Sequence, residues 1–282
     1  MIFKIADIHV KLQLPERYFP RLKVFKKIVK DYGAPPESSY DFEVVVEGNE
    51  EKKPAKLPVA PQFYAVKNSH KTHCSIFGRT SAGRIVWPEN KILVSFYANT
   101  YECPNTDQLG LVIFDFLKIV FSLLVLKKGG LPMHSSSVCE NNEALVFYGP
   151  SEAGKSTIAA LLAPKWSLLN DELNFILPEN HSFRVYSTPF SAPMNYSKCS
   201  KDSARLKRLF CLEKSACNKI GDLSSAQKIL SLISSIYSIP VNDFFCKRMF
   251  DNADEICKRV PVQKLFFKND PTIASDLNSL LE

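Results

Sequence analysis

Gly149-Pro150-Ser151-Glu152-Ala153-Gly154-Lys155-Ser156 match the pattern G-x-x-x-x-G-K-[ST] at every specified position. Glycines in such a loop let the backbone curl so that its N–H groups converge on phosphate oxygens. The lysine brings positive charge to the β- and γ-phosphates, and the hydroxyl after it can ligate Mg²⁺. The apolar run before the loop reads as a strand, and "KSTIAALLA" after it reads as a helix stopped by Pro164. The N-terminal end of that helix would face the same anion. Thr157 either adds a phosphate contact or simply continues the helix. Nucleotide phosphate binding is the chemistry this spacing predicts. The loop alone does not separate a switch from a motor or a phosphotransferase.

Its neighbours narrow the choice. In "LLNDEL" Asp171 lies sixteen residues after Lys155 (171 − 155), leaving room for about one helix and one strand between them. Two adjacent acids, Asp171 and Glu172, could organise Mg²⁺ and accept a proton from an attacking hydroxyl. Side chains alternate along a strand, so both reach one site only where the strand has ended. His134, in "PMHSSSV", sits on a strand that returns through Asn141-Asn142 into the strand feeding the loop. A neutral imidazole there could lie near the phosphates or orient a carboxylate base, although a lone strand histidine is more often structural. His9, His70, His73 and His181 have no ligand-like company, and His70 and His73 flank a turn.

The elements that must position these residues follow from patterning. At 282 residues the chain suits one large domain or two modest ones. "PRLKVFKKIVKDYG" places Leu22, Phe25, Ile28, Val29 and Tyr32 at helical spacing, with Gly33 as the expected C-cap. Short β-rich runs follow: "YDFEVVVEG", "QFYAVKN", "HCSIFGRT", "GRIVW" and "KILVSFYANT", for which antiparallel pairing is expected. The charged stretch 48–58 between the first two reads as a long hairpin loop. Beyond residue 126 the expected order is a hairpin of two strands, the loop and its helix, and strands at 166–179, 183–190 and 204–214. A helix capped by Ser224 or Ser225, a late strand at 261–270 and a terminal helix complete it. This divides the chain into a β-rich region with one amphipathic helix, 1–105, and a second domain, 106–282.

Composition bounds the partners. Hydrophobic residues make up 45% and charged ones 23%, ordinary for a folded chain. The net charge of +7 is scattered without basic tracts interleaved with aromatics, so nucleic acid is not an expected partner. "LGLVIFDFLKIVFSLLVL" approaches the length of a membrane span, yet it carries Asp115 and Lys118, each costing about 2.5–3.5 kcal/mol to insert. The two share a helix face at i,i+3, and a largely buried helix is the expectation, with no membrane. Eight cysteines include no C-x-x-C pair, and "MIFKIADIHVKL" lacks the apolar core of a signal peptide. Reduced thiols in a cytoplasmic setting follow. Self-association into a homo-oligomer is left open.

The ordered set "H-S-S-S", hairpin return, "G-P-S-E-A-G-K-S-T" and "L-N-D-E" resembles the catalytic domain of HPr kinase/phosphorylase. "YSTPFSAP" and "VPVQKLFF" are also similar to pieces of the smaller HPr-kinase-related proteins, and the resemblance covers roughly 129–268. It implies an α+β or α/β fold with a phosphoenolpyruvate-carboxykinase-like P-loop kinase core and a mixed sheet. It also implies Mg²⁺ and ATP as cofactors, with a hydroxyl acceptor, seryl by preference, on a peptide, protein or small molecule. By the same resemblance Lys155 holds the β/γ-phosphates and Ser156 the metal. Asp171 is the base, Glu172 stands where the family has a second Asp and helps the metal, and His134 supports the base. The division between the two acids stays open. The E-x-R-G-type signature of HPr kinases is replaced here by "TPFSAPMNY", which points away from the HPr kinases' own substrate. The alternative is a nucleotide-binding accessory or regulatory protein with little or no kinase activity. A P-loop motor or GTPase is the weakest reading, since no N-K-x-D-like motif is present and a hairpin entry into the loop is unusual for those folds.

Overall fold

The structure is a computed structural model, and it describes residues 1–51, 65–70, 73–77, 81–97, 108–190, 203–237 and 242–281. The chain divides into two compact units, Met1–Leu124 with Ile239–Cys246, and Val125–Ser238 with Lys247–Glu282. Each is built on a mixed β-sheet.

In the first unit the strands are β1 (Ile2–Ile5), β2 (Ile8–Gln13), β3 (Gly33–Ala34), β4 (Phe42–Glu51), β5 (Ala65–His70), β6 (His73–Phe77), β7 (Ser81–Val86) and β8 (Lys91–Tyr97). Their order is β3-β1-β2-β4-β8-β7-β6-β5. Alternation drives the pairing: Ile8, Val10 and Leu12 on β2 and Val44 and Val46 on β4 are all buried. Helix α1 (Lys23–Val29) packs Phe25 edge-on against Phe3 and Phe114. Phe114 belongs to α2 (Gln108–Lys127), most of which lies in this unit. Leu109–Lys127 is long and apolar enough to cross a membrane by length and composition, and 78% of its apolar window is buried within the fold. Asp115 and Lys118 pair at 3.9 Å, as their i,i+3 spacing implies.

Two local expectations are corrected here. Gly33 is not a left-handed C-cap: α1 ends at Val29, a 3₁₀ turn carries the chain to Tyr32, and Gly33 is extended with φ −73° and ψ 140°. The 48–58 stretch does not close a hairpin, because β4 pairs in parallel with β2 and β8 while β5 lies at the far edge. Residues 52–64 lie outside the described residues. The antiparallel expectation does hold for β5, β6, β7 and β8. His70 and His73 are Cα partners in the β5–β6 ladder.

The second unit opens with β9 (Leu131–Glu140) and β10 (Glu143–Tyr148), joined by Asn141 and Asn142 at φ 51° and 61°. Two consecutive positive-φ residues match the twist of a two-residue hairpin, and asparagine tolerates that conformation. Then come α3 (Lys155–Leu162), β11 (Ser167–Glu179), β12 (Ser182–Tyr186), β13 (Ser203–Lys214), β14 (Lys219–Gly221), α4 (Ser225–Ile233), α5 (Asp243–Arg259), β15 (Val262–Phe267) and α6 (Ile273–Leu281). Ser224 caps α4 with a reciprocal capping box to Gln227. The strand order is β10-β9-β11-β12-β13-β15-β14, and a further parallel pairing of β10 with β13 closes five strands into a ring. On one face α3 and α6 bury Ile158, Leu162, Ile273 and Leu277 against Val138, Phe147, Phe210 and Leu265. Tyr148 points the other way, to Ser231 of α4 at 2.9 Å. Asn252 of α5 donates to the carbonyls of Leu126 and Gly130 at 2.9 and 2.8 Å, tying the end of α2 to the start of β9.

Candidate active site

The loop 149–156 leaves β10 and enters α3 at the ends of the parallel strands β10, β13 and β15. In sheets of this kind ligands sit beyond the carboxyl ends of the strands. Gly149 has φ +151° and Gly154 has φ +101°. A Cβ on Gly149 would lie 3.1 Å from that of Ala153, and one on Gly154 would lie 2.5 Å from Cζ of Phe267. The spacing of the two glycines is therefore demanded by conformation and by space. Between them Pro150, Ser151 and Glu152 are exposed, Glu152 at φ +65°, and Ala153 is buried beneath them. Ser156 is exposed and Thr157 half-buried in the first turn of α3.

Lys155 bends back over the loop, and its Nζ donates to the carbonyls of Gly149 and Pro150, each at 3.1 Å. Burial holds its ammonium below the ordinary range, while the carboxylates of Glu172 and then Asp171 pull the other way. A lysine parked on its own loop and attracted by two acids is a cation kept available for an anion. Ser136 of β9 fixes the junction from below, its hydroxyl donating to the carbonyl of Lys155 at 2.7 Å.

The acids come in from β11. Asp171 is the Cα partner of Ser136 and Glu172 that of Ser135. Asp171 is 3% exposed, and its Oδ1 accepts the Ser156 hydroxyl at 3.1 Å. Regular alternation would send Glu172 to the opposite face, with Ser135. Instead its φ is +140°, the register of β11 shifts between Leu168 and Asn170, and its carboxylate lies 3.7 Å from Nε2 of His134. His134 and Glu172 are both open to solvent, with side chains 44% and 43% exposed. The structure thus gathers Lys155, Ser156, Asp171, Glu172 and His134 at one end of the sheet, with His134 beside Glu172.

Sequence reasoning passed over the polar layer behind the acids. Ser137 donates to Asn174 Oδ1 at 2.5 Å, and Asn174 donates back to the Ser135 carbonyl and hydroxyl at 2.8 and 2.9 Å. Asn170 and Thr188 both donate to the carbonyl of Leu173. All five side chains are buried and bonded, as buried polar groups must be. The signal available was the run of serines in β9 facing two asparagines in β11, four positions apart.

No group of three or more His, Cys, Asp or Glu that could hold a metal occurs among the described residues. The donor set that is present, the Ser156 hydroxyl and one buried carboxylate, suits a small hard cation completed by water and phosphate oxygens. The positive-φ glycines, the helix N-terminus and the parked lysine likewise fit a phosphate chain.

The second unit is thus a mixed-sheet α/β fold with a glycine loop at a helix N-terminus and two acids converging on it. The particular family is set by a family model described as "SynChlorMet cassette protein ScmC", which matches residues 102–272. The chain belongs to that family. No curated protein matches the chain. Among solved structures it is similar to the Hpr(Ser) kinase/phosphatase from Coxiella burnetii, at 10% identity and a TM-score of 0.31. That match covers 53% of this chain and 93% of the other.

Proposed function

We propose that the second unit is a phosphoenolpyruvate-carboxykinase-like P-loop kinase core that transfers the γ-phosphoryl group of Mg²⁺·ATP to a hydroxyl, seryl by preference, on a peptide or protein. The observation that carries this reading is the 3.1 Å bond from Ser156 to the buried carboxylate of Asp171. It joins the end of the loop to a strand acid, the juxtaposition a metal-assisted phosphotransferase needs. The backbone of 149–154 and Lys155 would hold the phosphates, and Ser156 with Asp171 would hold Mg²⁺. When bound, ATP supplies the phosphoryl group and the metal neutralises charge on it. Asp171 is the proposed base, taking the acceptor's hydroxyl proton on a carboxylate oxygen. Glu172, half-exposed beside His134, is the second acid facing the acceptor side. The protein's work is positioning and charge.

Incubating the purified full chain with γ-labelled ATP and extract from its native cell tests the reading. Transfer to an acceptor, lost in Lys155→Ala, is the expected result. Asp171→Asn should bind nucleotide and fail to transfer. Wild-type transfer by Asp171→Asn would refute the base assignment, and tight nucleotide binding with no labelled acceptor would favour the accessory protein. Recovery of Asp171→Asn at raised Mg²⁺ would leave Asp171 with the metal role alone and give the proton to Glu172.

A further inference from the structure

Adjacent residues on a strand point to opposite faces, yet Asp171 and Glu172 serve one end of the sheet. Something must hold the backbone out of its regular path. The side chain of Asn170 spans the affected segment from both ends. Its Oδ1 accepts the N–H of Asp171 at 2.9 Å, and its Nδ2 donates to the carbonyl of Leu173 at 2.6 Å. That carbonyl also receives the Thr188 hydroxyl at 2.6 Å, and Asn170 Nδ2 reaches Thr188 Oγ1 at 3.0 Å. Thr188 is fixed in turn by the N–H of Phe190 at 3.2 Å. Asn170 is 0% and Thr188 1% exposed, so these bonds form away from water, where an unmade one is expensive. Glu172, inside the span they close, has the φ of +140° that an L-residue rarely adopts.

We propose that Asn170 and Thr188 are positioning residues: a buried amide–hydroxyl clip that folds β11 at Asp171–Leu173 and thereby turns two consecutive carboxylates onto one site. The clip's effect on phosphoryl transfer rests on the kinase reading above, whereas its effect on the backbone does not. The clip holds Glu172 in the positive-φ conformation, and releasing it lets the strand return toward regular geometry.

The test is a stability cycle on the full chain, read as urea midpoints. Glu172→Ala and Glu172→Gly both remove the carboxylate and differ in their tolerance of positive φ. In an ordinary strand glycine is the less stable of the two. With Asn170 present, Glu172→Gly should have the higher midpoint. With Asn170→Ala, the order should reverse. The same order in both backgrounds would overturn the proposal. Should Asn170→Ala fail to fold, Thr188→Val removes one donor to Leu173 at nearly constant shape. The glycine advantage should then shrink, and an undiminished advantage overturns the clip. In the transfer assay, Thr188→Val should lower kcat about tenfold with KM for ATP within about twofold, as misplacement rather than lost binding requires. Thr188→Ser should restore kcat. Absence of any transfer would remove the kinase reading and leave the midpoint cycle to decide the clip alone.

Discussion

Gly154→Ala is the substitution whose cost the structure sets most directly. The residue has φ +101°, and an added Cβ would lie 2.5 Å from Cζ and 3.2 Å from Cε1 of Phe267. Phe267 is 2% exposed and packed with Leu265, Ile273 and Leu277. The contact therefore meets a ring backed by core, with little room to withdraw. Holding alanine at that φ costs about 1–3 kcal/mol. Overpacking a filled core adds about 1–3 kcal/mol. The two together give about 2–6 kcal/mol, or a Tm lower by roughly 5–25 °C for a unit of this size. Trp166, buried in the same core, reports the second unit by fluorescence once Trp87, the other tryptophan, is replaced by Phe. Phe267→Leu alone should cost about 1 kcal/mol. Combined with Gly154→Ala it should recover about 1–3 kcal/mol, because the ring edge that met the new methyl is gone, while the backbone term remains. An additive double mutant would refute the steric argument. A Gly154→Ala cost near zero would refute both parts.

Three further outcomes follow from named groups. The native fold lowers the pKa of Lys155 from its ordinary 10.5, so between the two values the unfolded chain binds the extra proton and stability rises with pH. Relative to Lys155→Met, the wild type should therefore gain urea resistance as pH climbs from 7 toward about 10. Asn252→Ala leaves the carbonyls of Leu126 and Gly130 without their amide donor and should cost roughly 1–3 kcal/mol, seen as a lower urea midpoint of the second unit. Burial pushes the thiols of Cys74 and Cys257 up to about 11. With exposed Cys217 as the comparison, a thiol reagent at pH 8 should label Cys217 first, half-buried Cys257 more slowly and buried Cys74 only on unfolding.

Where local chemistry and fold agree, the sequence was legible. The Asn141-Asn142 turn, the strands either side of it, α3 behind its glycines and the capped α4 all follow from short-range rules that tertiary packing did not overturn. The parallel pairing of β4 with β2 and β8 was hidden, because register between distant strands leaves no local mark. Gly33 misled for the opposite reason: a glycine after a helical stretch suggests a left-handed cap, but here the chain leaves extended to pair with β1. Helix α5 went unread although Asn242 caps it by accepting the N–H of Phe245, and i,i+4 pairs such as Lys247–Asp251 line its surface. Its charged residues outweigh a core stripe reduced to Asn252, Ala253, Ile256 and a few neighbours.

At the site the alternation rule correctly warned that adjacent acids on a strand diverge, and the backbone departs from the rule at that point. Acids two apart on a regular strand would share a face but stand about 6–7 Å apart along it. Consecutive acids at a fold can differ in burial while sharing one end of the sheet. Asp171 keeps its place opposite Ser136 and is sealed against Ser156, whereas Glu172 is swung out beside His134 and meets solvent. One carboxylate is thereby preorganised by the fold, and the other is reachable by whatever approaches from outside. That separation has a structural cost at Glu172, carried by a layer of asparagine, serine and threonine whose hydrogen bonds a plain apolar core would not need. A glycine at 172 would remove the backbone cost and the second carboxylate together. A glutamate held in a conformation that favours glycine is the physical reason to look for function at this kink rather than at the better-formed strands around it.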